Sequence, residues 1–407
     1  MKLQTFTLPN GIRLVHRPIP GNVAHVGLFI DAGSRDESAG EHGMAHFIEH
    51  LIFKGTKKRN LYQVLSRLEN IGADLNAYTT KEETCIHASF LNPYYERTLE
   101  LISDICFHSK FPGNEIRKEK SVVIDELKSY KDSPSDQIFD DFEDQVFEGH
   151  PLGRNILGTP GNIRKFNKEG ILNFIEKNYT TDRMVISSVG NVDLKKLTRW
   201  VWKYFAQVPA VPGKENRKPF TGYRPQKVSR TRKNFQTHCI IGTTAYSMQD
   251  ERRFALAFLN NILGGPMMNS RLALALKERN GITYNIESNY MPFTDTGLFS
   301  IYFGTSSDML EKATSLTLKE LDRLRQNKLG VVQLHTAKKV ILGQMALAQE
   351  SQLNQMLAIG KSWLVMNRFM EFDEISRIVL DLTAEKILDI ANDIFDPAAL
   401  SSLVFKS

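Results

Sequence analysis

The sequence lacks long apolar runs and has few cysteines. No run of about 18 apolar residues occurs in the 407 residues, so no transmembrane helix is predicted. The first residues, Met1–Gly11, have no apolar signal-peptide core, and the sequence therefore predicts a cytoplasmic protein. The three cysteines, Cys85, Cys106 and Cys239, are odd in number and widely spaced, which argues against disulfides and against a CxxC zinc site.

An excess of charge of one sign is also lacking. The net charge of +6 is small for this length, and no dense Lys/Arg stripe is interleaved with aromatic residues. The nearest basic cluster comprises Lys227, Arg230, Arg232 and Lys233, and its pattern is typical of a solvated linker. The sequence therefore predicts neither nucleic acid nor a membrane as a partner.

The spacing of apolar residues predicts both strands and helices in each half of the chain. Asn10-Gly11 between alternating apolar residues is typical of a hairpin. Helical spacing predicts an amphipathic helix from near Glu41 past His50 and another over Asn114–Tyr130. Strands are predicted at Val23–Asp31, Asp74–Thr79, Thr84–Leu91, Arg183–Val189, His238–Thr243, Tyr284–Tyr290 and Gly297–Gly304.

A segment rich in Pro, Gly and Lys/Arg, residues 211–225, divides the sequence near its middle. After it, the order of strands and helices recurs loosely. We therefore predict two α+β domains of similar size, 1–210 and 226–407, joined by this linker.

The central motif is His46-Phe47-Ile48-Glu49-His50. On a helix, positions i, i+3 and i+4 share one face, so both imidazoles can reach one metal ion with Glu49 beside them. Such a zinc site activates water, and the neighbouring carboxylate removes its proton. The alternative is two histidines that lie one turn apart by chance, which we expect in on the order of one chain in a hundred of this size.

The motif needs a third protein ligand, and the predicted helix Asn114–Tyr130 offers candidates. Glu119 and Glu126 are two turns apart on one face, and two valines between them suggest partial burial. Equally, both glutamates could be exposed and paired with neighbouring lysines. Asp125 is a rival ligand that points about a third of a turn away. Spacing alone does not decide between these interpretations.

The segment Gly40–Thr56 resembles the active-site helix of the pitrilysin/insulinase family of zinc peptidases. The resemblance implies that Glu126 is the third ligand of one Zn²⁺ per chain, that Glu49 is the catalytic base and that Glu119 supports catalysis.

Further segments along nearly the whole chain carry the same resemblance. Gly72–Thr79 resembles the family's substrate-side edge strand, which implies that Asn76 and Ala77 bind substrate. Lys277 and Tyr284 stand where the family has an Arg–Tyr pair that grips the substrate backbone. Lysine keeps the charge of arginine but loses its bidentate fork. Other matching segments are His150–Gly153, Ile156–Thr159, Asn178–Thr180, Val189–Val192, Ile262–Gly265 and Ser270–Leu272.

The resemblance also implies an architecture and an activity. Each of two homologous domains is expected to be a twisted antiparallel sheet with helices mainly on one face. Four such domains form a clamshell in the family, so a homodimer is expected, or alternatively a pair with a metal-free homologous subunit. The expected activity is endoproteolysis of peptides or short unfolded polypeptides inside the closed chamber. The rival interpretations are a non-catalytic assembly protein and a zinc hydrolase of another fold.

Overall fold

The computed structural model describes residues 2–213, 217–232 and 234–407, which form two compact units. The first unit comprises Met1–Lys128, Arg154–Arg217 and Ala348–Phe369, and the second comprises Ser129–Gly153, Lys218–Leu347 and Met370–Ser407. All three cysteine thiols are free and buried. Among the described residues, no helix is both long and apolar enough to cross a membrane.

Among the described residues, each unit contains one sheet. The first unit has β1 Gln4–Thr7, β2 Arg13–Pro18, β3 Val23–Ile30, β4 Asp74–Thr79, β5 Thr84–Leu91 and β6 Met184–Gly190, in the order β1-β2-β6-β3-β5-β4. The second unit has β7 Lys227–Thr231, β8 Thr237–Ala245, β9 Thr283–Pro292, β10 Gly297–Thr305 and β11 Ser401–Lys406, in the order β7-β11-β8-β10-β9.

The α-helices are distributed over both units. In chain order they are α1 Met44–Ile52, α2 Leu61–Glu69, α3 Tyr95–Phe107, α4 Gly113–Lys131, α5 Pro134–Val146, α6 Pro160–Lys165, α7 Lys168–Asn178, α8 Leu194–Phe205, α9 Arg253–Gly264, α10 Leu310–Gln326, α11 Val331–Ala348, α12 Gln352–Met366, α13 Phe372–Asp381 and α14 Ala384–Ile394. A π-helical segment, Ala273–Glu278, lies in the second unit.

The two sheets share one topology. Strands β2–β6 of the first sheet correspond in order and direction to β7–β11 of the second. Only the pairs β2·β6 and β7·β11 are parallel among the described strands, and every other pair is antiparallel. This correspondence confirms the predicted α+β fold of two similar domains.

Each unit takes one helix from the other half of the sequence. Helix α12 packs on the first sheet, where Met356 and Ile359 join Phe29 and Val185 in a buried cluster. Helix α5 packs in the same way on β8 and β11 of the second sheet. The compact units therefore have other boundaries than 1–210 and 226–407, because linker composition carries no signal for which sheet an amphipathic helix covers.

The region of the predicted linker is only partly as expected. Residues 214–216 and Lys233 lie outside the described residues. Arg217 is held in the first unit by Asp31 and Asp36, each at 2.7 Å. The interpretation of the basic cluster as a solvated linker is wrong for Lys227–Thr231, which form β7 in parallel pairing with β11.

Two helical glycines test how closely α12 approaches its sheet. A Cβ on Gly360 would lie 2.1 Å from the buried Phe29 ring, whereas one on Gly343 of α11 would meet nothing within 4 Å. We expect Gly360→Ala to lower the free energy of unfolding by about 1–3 kcal/mol through overpacking. Gly343→Ala should raise it by about 0.5–1 kcal/mol through helix propensity. Urea unfolding of both variants checks the opposite signs, and equal effects would contradict this packing.

Candidate metal centre

A buried carboxyl group fixes the start of α1. Glu37 is 4% exposed, and its two oxygens accept hydrogen bonds from the backbone N–H groups of Gly43 and Ala45, each at 2.9 Å. Gly43 itself has a positive φ of 94°, which favours glycine at this position. Burial raises the pKa of Glu37 to about 8, and the two backbone donors oppose that rise. Glu37 therefore anchors the helix that carries the motif histidines.

Three side chains from two helices converge as a metal-binding group. Ligand atoms of His46, His50 and Glu126 all lie within 4.8 Å of one another. The Nε2 atoms of His46 and His50 lie 3.9 and 3.6 Å from the two oxygens of Glu126. Two atoms bound to one zinc at 2.0–2.2 Å are separated by at most about 4.4 Å, so both distances fit a shared ion. The donor set of two imidazoles and one carboxylate is that of a catalytic zinc site.

The charge state of His46 suits metal binding. Burial and, to a smaller extent, the neighbouring His50 lower the pKa of His46 to about 4. His46 is therefore a neutral imidazole near pH 7, which is the form that ligates a metal.

Glu119 lies behind His50. It is 5% exposed, one oxygen lies 3.1 Å from His50 Nδ1, and the other is 2.8 Å from Lys54 Nζ. A carboxylate that accepts the Nδ1–H of a histidine leaves Nε2 free for the metal and fixes the orientation of the ring. The structure thus places Glu119 where it acts through His50.

The other residues of α4 show which of the interpretations left open by spacing holds for Glu119, Asp125 and Glu126. Lys118 pairs with Glu115, and Lys128 pairs with Asp125 at 2.8 Å. The side chain of Asp125 is 70% exposed and lies outside the metal-binding group. Neither Glu119 nor Glu126 is an exposed partner of these lysines.

Glu49 projects from α1 toward the end of β4. Thr79 Oγ1 donates a hydrogen bond of 2.7 Å to Glu49 Oε2. Burial raises the pKa of Glu49, while the Thr79 hydroxyl and His50 lower it and Glu126 raises it. The Thr79 hydroxyl contacts Oε2, and Oε1 of Glu49 accepts no hydrogen bond from the described residues.

The residues predicted to bind substrate lie in both units. Asn76 is exposed and Ala77 half-buried on β4, which is an edge strand and pairs with β5 alone among the described strands. Lys277 is exposed in the π-helical segment of the second unit, and Tyr284 on β9 is 81% exposed. All four stay predictions, because their role depends on a bound peptide.

Sequence reasoning missed two residues that support α1 and its base. Glu37 and Thr79 reach α1 through a loop and a strand end, and neither belongs to a periodic pattern with the motif. The only local signal for Glu37 is its position as an acidic residue shortly before a helix whose N-cap is a glycine.

Comparison with known proteins assigns the chain to a family. Residues 14–160 match the family model described as insulinase (peptidase family M16), and residues 165–341 match that described as the peptidase M16 inactive domain. A protein of Bacillus subtilis (strain 168) named an uncharacterized zinc protease is 31% identical over 97% of this chain and 96% of its own length. A protein of Rickettsia bellii (strain RML369-C), also named an uncharacterized zinc protease, is 31% identical over 98% of this chain and 96% of its own length.

Two solved structures share the fold. A protease from Helicobacter pylori gives a TM-score of 0.93 at 21% identity over all of both chains. A peptidase M16 inactive domain from Pseudomonas fluorescens gives a TM-score of 0.93 at 18% identity over 100% of this chain and 98% of that one. The identity to the two bacterial relatives and the family-model matches show that this chain belongs to the insulinase family of peptidases, family M16.

Proposed function

We propose that the protein is a zinc metalloendopeptidase that hydrolyses peptides or short unfolded polypeptides. The observation that carries this proposal is the convergence of His46, His50 and Glu126 beside Glu49. All four residues lie within 14–160, the segment matched by the insulinase model. The segment matched by the inactive-domain model, 165–341, begins after them, so its name does not bear on the metal site.

The chain's own residues have separate tasks in this reaction. A Zn²⁺ held by His46, His50 and Glu126 would supply Lewis acidity and lower the pKa of water. Glu49 Oε1 takes the proton from the attacking water and later delivers it to the leaving amine. The free edge of β4 binds the substrate as an added extended strand around Asn76 and Ala77, through backbone hydrogen bonds.

The test is a digest of a quenched-peptide library by the purified protein, with and without a chelator. The proposal expects cleavage at internal bonds, loss of cleavage with the chelator and recovery on adding Zn²⁺. A protein that binds the peptides without cleaving them would instead support the non-catalytic assembly role.

We also propose that two copies of the chain form the closed chamber, in the cytoplasm. Each chain offers two similar units, half the number in the family clamshell, and its three buried free thiols suit a reducing compartment. A metal-free homologous subunit is the alternative partner. The molar mass of the purified chain, measured by light scattering, distinguishes a homodimer from a monomer that needs a different subunit.

If Lys277 and Tyr284 act on substrate held by the partner copy, inactive variants should complement each other. Glu49→Gln and Tyr284→Phe chains, each inactive alone, should regain up to about a quarter of wild-type activity when equal amounts are mixed under subunit exchange. Half of the dimers are then mixed, and one of the two composite sites in each mixed dimer is intact. Activity is measured on the quenched peptides, with unmixed variants as controls. Mixed dimers without recovered activity would contradict action between chains.

A further inference from the structure

Thr79 is the last residue of β4, and its hydroxyl contacts the carboxylate of Glu49. The 2.7 Å bond joins Thr79 Oγ1 to Oε2 of a side chain that itself is half-buried. The bond links the proposed catalytic base to the strand whose free edge is proposed to bind substrate.

The backbone of Thr79 is fixed on both sides. Thr79 pairs with Thr84 in the β4·β5 register, and the turn that follows is closed by a 2.8 Å bond from Thr80 N to Glu83 O. The carbonyl of Thr80 also accepts the N–H of Ser34 at 3.1 Å. A hydroxyl on such a residue has a defined position, unlike one on a mobile loop.

Strand alternation directs Thr79 toward α1. Leu75 and Ala77 pack against the core that contains α1, and residues two apart on a strand face the same side. Glu49 has three side-chain torsions, so a fixed donor at one oxygen restricts where the other oxygen can lie.

We propose that Thr79 is a positioning residue that fixes Oε2 of Glu49, so that Oε1 faces the attacking water, and that ties the base to the substrate-binding strand. The inference rests on the proposed function, since it assigns Glu49 as the base. It predicts a loss in turnover without a loss of zinc or of substrate affinity, because the Thr79 hydroxyl contacts neither the metal ligands nor the free edge.

The test uses Thr79→Val, which keeps the shape and strand preference of threonine but removes the donor, and Thr79→Ser, which keeps the donor. We expect Thr79→Val to lower kcat by about 10–100-fold with KM within about threefold, a size typical of lost supporting contacts at a metal site. Thr79→Ser should stay within about threefold of wild type. Thr7→Val, on the exposed opposite edge strand β1, should leave kcat unchanged.

A second readout needs no activity. Crystals of the metal-free Thr79→Val protein should show the Glu49 carboxylate in more than one conformer, whereas those of Thr79→Ser should show one. Equal losses in both variants, wild-type kcat in Thr79→Val, or one unchanged Glu49 conformer would each overturn the positioning role. If wild type shows no chelator-sensitive cleavage, the proposed function fails, and the Glu49 conformers then report only whether Thr79 positions that carboxylate.

Discussion

Glu49→Gln is expected to keep its zinc and to lose peptidase turnover by about 10²–10⁴-fold, the usual contribution of a general base. The amide has nearly the same shape as the carboxylate, and its oxygen can still accept the 2.7 Å hydrogen bond from Thr79. It cannot take a proton from water. Zinc content by mass spectrometry and kcat on a quenched peptide measure the two effects separately.

The matched control is Glu69→Gln, which removes the same charge from an exposed position at the end of α2. This variant should keep both zinc and turnover. More than about a tenth of wild-type turnover in Glu49→Gln would contradict the assignment of the base. Loss of zinc in that variant would instead show that Glu49 supports the metal ligands.

Local sequence could predict the motif helix but not what holds it in place. The spacing of His46, Glu49 and His50 follows from helical periodicity, and the structure places all three on α1. Family resemblance was needed to prefer Glu126, because spacing alone left open both the rival ligand Asp125 and an exposed position for the two glutamates. Glu37 and Thr79 act across turns of the chain, where no periodicity relates a residue to its partner.

For the fold as well, local elements could be predicted from sequence, whereas their packing could not. Alternation predicted β4 and β5 at the residues observed, since each strand has apolar residues at intervals of two. Four elements, β7, α13, α14 and β11, were not predicted from the sequence. The positions of α5 and α12 could not follow from sequence either, because an amphipathic helix shows that it packs but not on which sheet.

His50→Ala is expected to abolish zinc binding and, with it, activity. Wild type should carry about one zinc per chain, and the variant less than about a tenth, because two ligands on one side of an open site hold zinc poorly. The His50 side chain is 23% exposed, so its removal leaves a gap that water can fill and the fold is kept. Zinc is measured after dialysis, with circular dichroism as the check on folding. Full zinc occupancy would show that the site is elsewhere.

Glu119→Gln distinguishes a residue that positions a ligand from a ligand. The amide oxygen can still accept the His50 Nδ1–H, but the charge that strengthens this bond and pairs with Lys54 at 2.8 Å is lost. Zinc affinity should therefore fall by about 10–100-fold, the effect typical of a partner behind a histidine ligand. Competition with a chelator of known affinity measures the change. A loss as complete as that of His50→Ala would show that Glu119 binds the metal itself, and wild-type affinity would show that its contact with His50 has no effect on the metal.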